Sequence, residues 1–94
     1  MRLRIQYTAQ LRTIVGQAEE LVELPDGCSL ADLFHRLASE LHREAGSHLF
    51  TEAGEVRPSL LVAVNQRAVS AGAARGTLLA PGDVVTLMPP IAGG

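Results

Sequence analysis

The chain has 94 residues, of which 47% are hydrophobic and 19% charged, and a net charge of −2. That is enough for one small domain with a core, too apolar for a disordered chain and too short for a second domain. Scattered arginines and 3% aromatics supply neither a basic stripe nor a stacking platform, and no apolar run is long enough for a signal peptide or a membrane span, so the expectation is a cytoplasmic protein that binds neither nucleic acid nor membrane.

In chain order, Arg2–Thr8 alternates polar Arg2, Arg4 and Gln6 with apolar Leu3, Ile5 and Tyr7, the period of a strand with one face buried. Ala9–Val15 spaces Leu11, Ile14 and Val15 as a short helix would, ahead of the stop residue Gly16. Ala18–Leu24 mixes Glu19, Glu20 and Glu23 with Leu21, Val22 and Leu24 and runs into Pro25-Asp26-Gly27, a turn. It reads as a second strand, antiparallel to the first. Ser29 can then cap a helix with Asp32 as its capping-box partner, and Leu30, Leu33, Phe34, Leu37 and Leu41 form a single apolar stripe. Gly46 is expected near the end of that helix. Ser47–Ser59, which contains Gly54 and Pro58, reads as a loop with local order at Leu49-Phe50.

Leu60–Val64 is an unbroken apolar run and predicts a buried central strand. Asn65-Gln66 turns the chain so that Arg67–Val69 pairs back, Ala71–Thr77 reads as a loop, and Pro81-Gly82-Asp83 turns into a last strand, Val84–Met88. The order predicts a two-layer α+β domain, a mixed sheet packed on one long helix.

Few internal side chains offer chemistry. Cys28, the lone cysteine, allows no internal disulfide and reads as a small structural residue rather than a persulfide carrier. His35 and His42 lie seven apart, not at the spacing of four used by helical metal pairs, and with His48 they are taken as solvated, so no metal site is expected. Glu19, Glu20 and Glu23 read as a charged solvent face, and Tyr7 and Phe34 as core. All eight basic residues are arginine. Without lysine there is no phosphate-loop lysine, no Schiff base and no internal lysine to accept an isopeptide.

The end of the sequence differs from the rest. Residues 84–94 carry no charged side chain; a strand runs into Pro89-Pro90-Ile91-Ala92-Gly93-Gly94. The prolines fix φ and favour an extended course, whereas Gly93 and Gly94 can follow a path that any Cβ would block. The division expected is a domain over residues 1–88 and an extended tail over 89–94.

Ala63-Val64-Asn65-Gln66, Pro81-Gly82-Asp83 and the terminal Pro-Pro-Ile-Ala-Gly-Gly, with Ala9-Gln10-Leu11-Arg12 and Val15-Gly16, resemble the small subunit of molybdopterin synthase and its sulfur-carrier relatives. The resemblance covers most of the chain and is weakest over 45–59. It implies a ubiquitin-like β-grasp fold and a sulfur carrier. It further implies that Gly94 is adenylated by an E1-like activating enzyme using ATP and converted to a thiocarboxylate with sulfur from a donor, while Gly93 threads into the partner's site. No cofactor would be bound by this chain itself, and the partner is the large subunit of the synthase, where sulfur passes to a pterin precursor. Ala68, Met88, Pro89, Pro90, Ile91 and Ala92 are the partner-binding residues expected. The family often carries an aromatic residue where Met88 stands, and the loop ahead of Leu60 is longer than in its compact members. A carrier for thiazole, cysteine or thiolated-RNA synthesis, a protein modifier joined through Gly94 to a lysine elsewhere, and a β-grasp interaction module without chemistry are the alternatives.

Overall fold

The computed structural model describes residues 1–41 and 43–89. Strand β1, Arg2–Tyr7, buries Leu3, Ile5 and Tyr7 and exposes Arg2 and Arg4, as its alternation requires. Ala9 turns the chain with a positive φ of 50° into helix α1, Gln10–Val15, which Gly16 closes in the left-handed region with its N–H on the Arg12 carbonyl. Strand β2, Glu19–Glu23, pairs antiparallel with β1.

Helix α2, Leu30–Glu40, begins with the expected capping box: Asp32 N–H donates to the Ser29 hydroxyl at 3.2 Å and Ser29 N–H donates to the Asp32 carboxylate at 2.8 Å. Both end donors are thereby satisfied, and the Ser29 N–H donated to it, with the Ser29 hydroxyl beside it, holds the Asp32 carboxyl below its ordinary range. Leu30, Leu33, Phe34 and Leu37 are buried. The helix ends sooner than its apolar stripe suggests, because Leu41 turns extended as the C-cap.

A third helix, α3 over Arg43–Leu49, occupies part of the segment expected to be a loop, and Gly46 lies inside it rather than at a cap. Ala45 and Leu49, one turn apart, face the core at 0% exposure. A tight turn follows, bridged between Phe50 and Val56, and Phe50 stacks at a tilt on Phe34 with ring centres 5.9 Å apart. Gly54, at φ +81°, comes so close to α2 that a Cβ there would lie 2.9 Å from the His35 ring. His35 and His48 are exposed, His35 thus being partly covered by the turn, and His42 lies outside the described residues.

Strands β3, Leu61–Val64, and β4, Arg67–Val69, form a hairpin through Asn65 and Gln66, both at positive φ, the backbone of a two-residue turn. Ala71–Gly76 is a 3₁₀ turn rather than an irregular loop, and its buried Ala74 packs beside α2. Strand β5, Val84–Met88, closes the sheet in the order β2-β1-β5-β3-β4, parallel to β1 and antiparallel to β3. The sheet is mixed, as expected, but its core face is covered by α2 together with α1 and α3 rather than by one long helix. Among the described residues no helix is long and apolar enough to cross a membrane.

Candidate functional site

The site expected from the sequence lies where β5 hands the chain to its tail. Two motifs that carried the resemblance turn out to fasten the start of that strand. Asn65 Nδ2 donates to Asp83 Oδ1 at 2.8 Å, Val84 N–H donates to Asn65 Oδ1 at 2.9 Å, and Asn65 N–H donates to the Val84 carbonyl at 2.8 Å. The other Asp83 oxygen accepts from Ala80 N–H at 2.8 Å, and Gly82, at φ +85°, donates its N–H to the Arg2 carbonyl. Short polar side chains that hydrogen-bond nearby backbone suit such turns. The register of β5 is therefore set before its first side chain enters the sheet.

From there β5 alternates. Val85 and Leu87 are fully buried, while Val84, Thr86 and Met88 face the side of the sheet without helices. Across that outer face, Thr86 stands between Gln6 of β1 and Ala63 of β3, Ala63 is opposite Ala68 of β4, and Met88 is opposite Leu61. Thr8 holds the downstream end, its N–H donating to the Leu87 carbonyl at 3.2 Å. Met88 and Pro89 are half-buried and Ala68 is exposed. Of the expected site residues, Ala68 and Met88 thus share one face and Pro89 continues from it. Pro90, Ile91, Ala92, Gly93 and Gly94 lie outside the described residues.

Leu61 was not anticipated. It is 46% exposed, opposite Met88, so Leu60–Val64 is not buried on both faces. A usable signal was present: with all helices on one side of the sheet, every second residue of a five-residue apolar run must face the other way. The outer face at this end is therefore an apolar patch of Leu61, Ala63, Ala68 and Met88 beside the point where the chain leaves the sheet.

Beneath that exit lies a polar group inside the core. Tyr7 pairs in register with Leu87 and is 1% exposed, and its hydroxyl has no hydrogen-bond partner among the described residues. Burial, then the neighbouring Glu20 charge, push its ionisation far above the ordinary range. Glu20 differs from the solvated glutamate expected: it pairs with Ile5, is half-buried, and accepts a hydrogen bond from Gln17 at 2.5 Å. Burial raises its carboxyl above the usual range. Cys28 is half-buried against the core. Among the described residues no three His, Cys, Asp or Glu side chains group so as to hold a metal ion.

The arrangement is a strand fastened at its start that runs out beside an apolar surface. The model of the ThiS family matches residues 5–94. The chain belongs to the ThiS family. It is 34% identical over 94 residues to Small archaeal modifier protein 3 of Haloferax volcanii, with both chains covered completely. It is 26% identical over 99 residues to Ubiquitin-related modifier 1 of Yarrowia lipolytica, again over the whole of both. A solved Pyrococcus furiosus protein, assigned as molybdopterin converting factor subunit 1, shares 30% identity and superposes with a TM-score of 0.74 over 97% of this chain and 99% of that one. The fold of this ThiS-family chain is accordingly the ubiquitin-like β-grasp, in a family whose relatives include both modifiers and converting-factor subunits.

Proposed function

We propose that the chain is a sulfur carrier that acts as the small subunit of molybdopterin synthase, with Gly94 as the seat of the transferred sulfur. A carboxylate is a poor electrophile, so an E1-like partner must first join it to AMP at the expense of ATP; sulfur from a donor then displaces AMP and leaves a thiocarboxylate. In this reading Gly93 and Gly94, with Ile91 and Ala92 behind them, thread into the closed site of a large subunit, where proximity and exclusion of water favour transfer to the pterin precursor. Pro89 and Pro90 stiffen the lead-in. The chain binds no cofactor of its own, and its place of work is the cytoplasm.

The observation that carries the proposal is the union of β5, fastened on both sides, with the exposed Leu61 opposite Met88 at the point where the tail departs. An apolar patch beside a chain exit suits a partner that must grip the domain and receive its end. The Pyrococcus furiosus relative supports the molybdopterin role in particular.

A second reading, a protein modifier joined through Gly94 to an amine elsewhere, is favoured by the Haloferax volcanii relative. The deciding measurement is the intact mass of the chain after incubation with an adenylating enzyme, ATP and a sulfur donor, with a Gly94-deleted control. Replacement of one oxygen by sulfur at Gly94, discharged by the pterin precursor and large subunit, is the expected result. Discharge only onto protein amines would establish the modifier instead, and an unaltered mass beside a working control carrier would end both readings.

A further inference from the structure

The helix side of the domain carries a second apolar feature, away from the outer face of the sheet. Between α2, the Phe50–Val56 turn and the 3₁₀ turn lies a cavity of about 80 Å³, with the buried side chains of Phe34, Val56 and Ala74 in its lining. One water molecule needs roughly 10–15 Å³ of such space. There is room for more than that, but these three side chains give water nothing to bond.

The two glycines of the wall differ in their reasons. Gly54 lets the turn close down on the His35 ring, where a Cβ would come within 2.9 Å. Gly72 has no positive φ, and a Cβ on it would meet nothing, so neither conformation nor crowding calls for glycine, which weakens a helical turn. At this position it leaves the mouth of the cavity open.

The rim is charged. Arg75 and Glu55 both stand at the mouth and are exposed. Arg2, Arg4 and Arg36 are paired with Glu23, Glu19 and Glu40, whereas among the described residues neither the Arg75 nor the Glu55 side chain enters an ion pair or a hydrogen bond. Opposite charges beside an apolar hole are complementary to a ligand that carries the reverse pair around an apolar group.

Size decides the kind of ligand. Cofactors and metabolites occupy pockets of roughly 300–1,000 Å³ with placed polar groups to orient them, and an apolar cavity of roughly 150 Å³ accepts benzene. This cavity has about half the latter volume and holds its charges on an exposed rim. It suits one aliphatic side chain of a larger partner rather than an aromatic ring or a free molecule.

We propose that the cavity receives a leucine, isoleucine or valine side chain of a partner protein, in a segment where that residue stands between an acidic residue that meets Arg75 and a basic one that meets Glu55. The site is separate from the Leu61–Met88 patch and independent of the chemistry proposed for Gly94, so this partner and one on the outer face can be held together.

The test is selection of a phage-displayed library of random peptides on the folded chain, with Gly72→Leu as the counter-target, followed by titration of the enriched peptide into isotope-labelled chain. The expected consensus is an aliphatic residue between an acid and a base, with amide shifts at Gly54, Val56, Gly72 and Ala74 and none at Leu61 or Met88. Gly72→Leu should abolish binding by filling the mouth. Arg75→Glu, an exposed change, should weaken it about tenfold with the urea midpoint unchanged. Circular dichroism shows whether Gly72→Leu folds; where it does not, Arg75→Glu takes its place as the counter-target. No enrichment over the counter-target, a consensus without the aliphatic residue, or binding indifferent to Arg75→Glu overturns the proposal. Shifts at Leu61 and Met88 instead would place the peptide on the outer patch, and displacement by free leucine would make the cavity a metabolite site; either result also overturns it.

Discussion

At its upstream end β5 is fastened by polar groups: the Asn65 side chain donates to Asp83 and accepts from Val84 N–H, and Asn65 N–H donates to the Val84 carbonyl. At its downstream end Thr8 holds Leu87, and the surface alongside is apolar and open. Directional bonds specify one register and leave nothing for a partner to take. An apolar patch specifies little within the chain and retains its free energy for association. The strand is thus positioned by one end and offered at the other.

The contrast is sharpest at two neighbouring residues. Leu87→Ala should cost about 2–5 kcal/mol of folding stability because it opens a cavity in the core, while Met88→Asp should leave the urea midpoint nearly unchanged and weaken the proposed assembly with a large subunit in size-exclusion chromatography. Intact assembly of Met88→Asp would remove the patch from the docking surface. Next in size, Asn65→Ala should cost about 1–2 kcal/mol by orphaning Val84 N–H and one Asp83 oxygen. Its signature is faster amide exchange at Val84 with Leu87 unaffected; uniform acceleration would mean that the two ends are not held independently.

Ala9 stands beside the downstream anchor with φ 50° and ψ −136°, a region that suits glycine rather than alanine. Ala9→Gly should therefore stabilise the fold by about 1 kcal/mol, read as a higher urea midpoint, and a lower midpoint would show that the turn is unstrained. The smallest effect concerns pH. Burial raises the Glu20 carboxyl above its ordinary 4.5, so the folded state binds its proton more tightly than the unfolded one. That contribution is fully present below pH 4.5 and is lost as pH rises through the folded value. Glu20→Gln should flatten that decline. Asp32 works in the opposite direction: its carboxyl is lowered, so its share is present at neutral pH and lost as acid protonates the cap. Denaturation midpoints of Glu20→Gln and the parent chain across the acid range separate the two, and parallel curves would mean that Glu20 is effectively solvated.

What the sequence disclosed followed from how local each cause was. The alternation of β1, the Ser29–Asp32 box and the Pro81-Gly82-Asp83 turn are each decided within a few residues, and each is found where it was expected. Helix α3 escaped because, among its described side chains, only Ala45 and Leu49 are buried, and Gly46 between them reads as a stop. Tertiary burial, not propensity, keeps it helical. The exposure of Leu61 and the inward turn of Glu20 follow only when the alternation within each strand is combined with the side of the sheet that carries the helices. Ala68 and Met88, named from the sequence, lie on one face, whereas placing Leu61 opposite Met88 needed the register between β3 and β5.

Tyr7 gives the molecule a built-in optical probe. The chain has one tyrosine and no tryptophan, so its native fluorescence comes from a single ring, fixed in register with Leu87, one residue before Met88. In the proposed complex a partner on the outer face bears on the strand beside that ring. Docking can therefore be followed in real time on the unlabelled protein with a partner that lacks tyrosine and tryptophan.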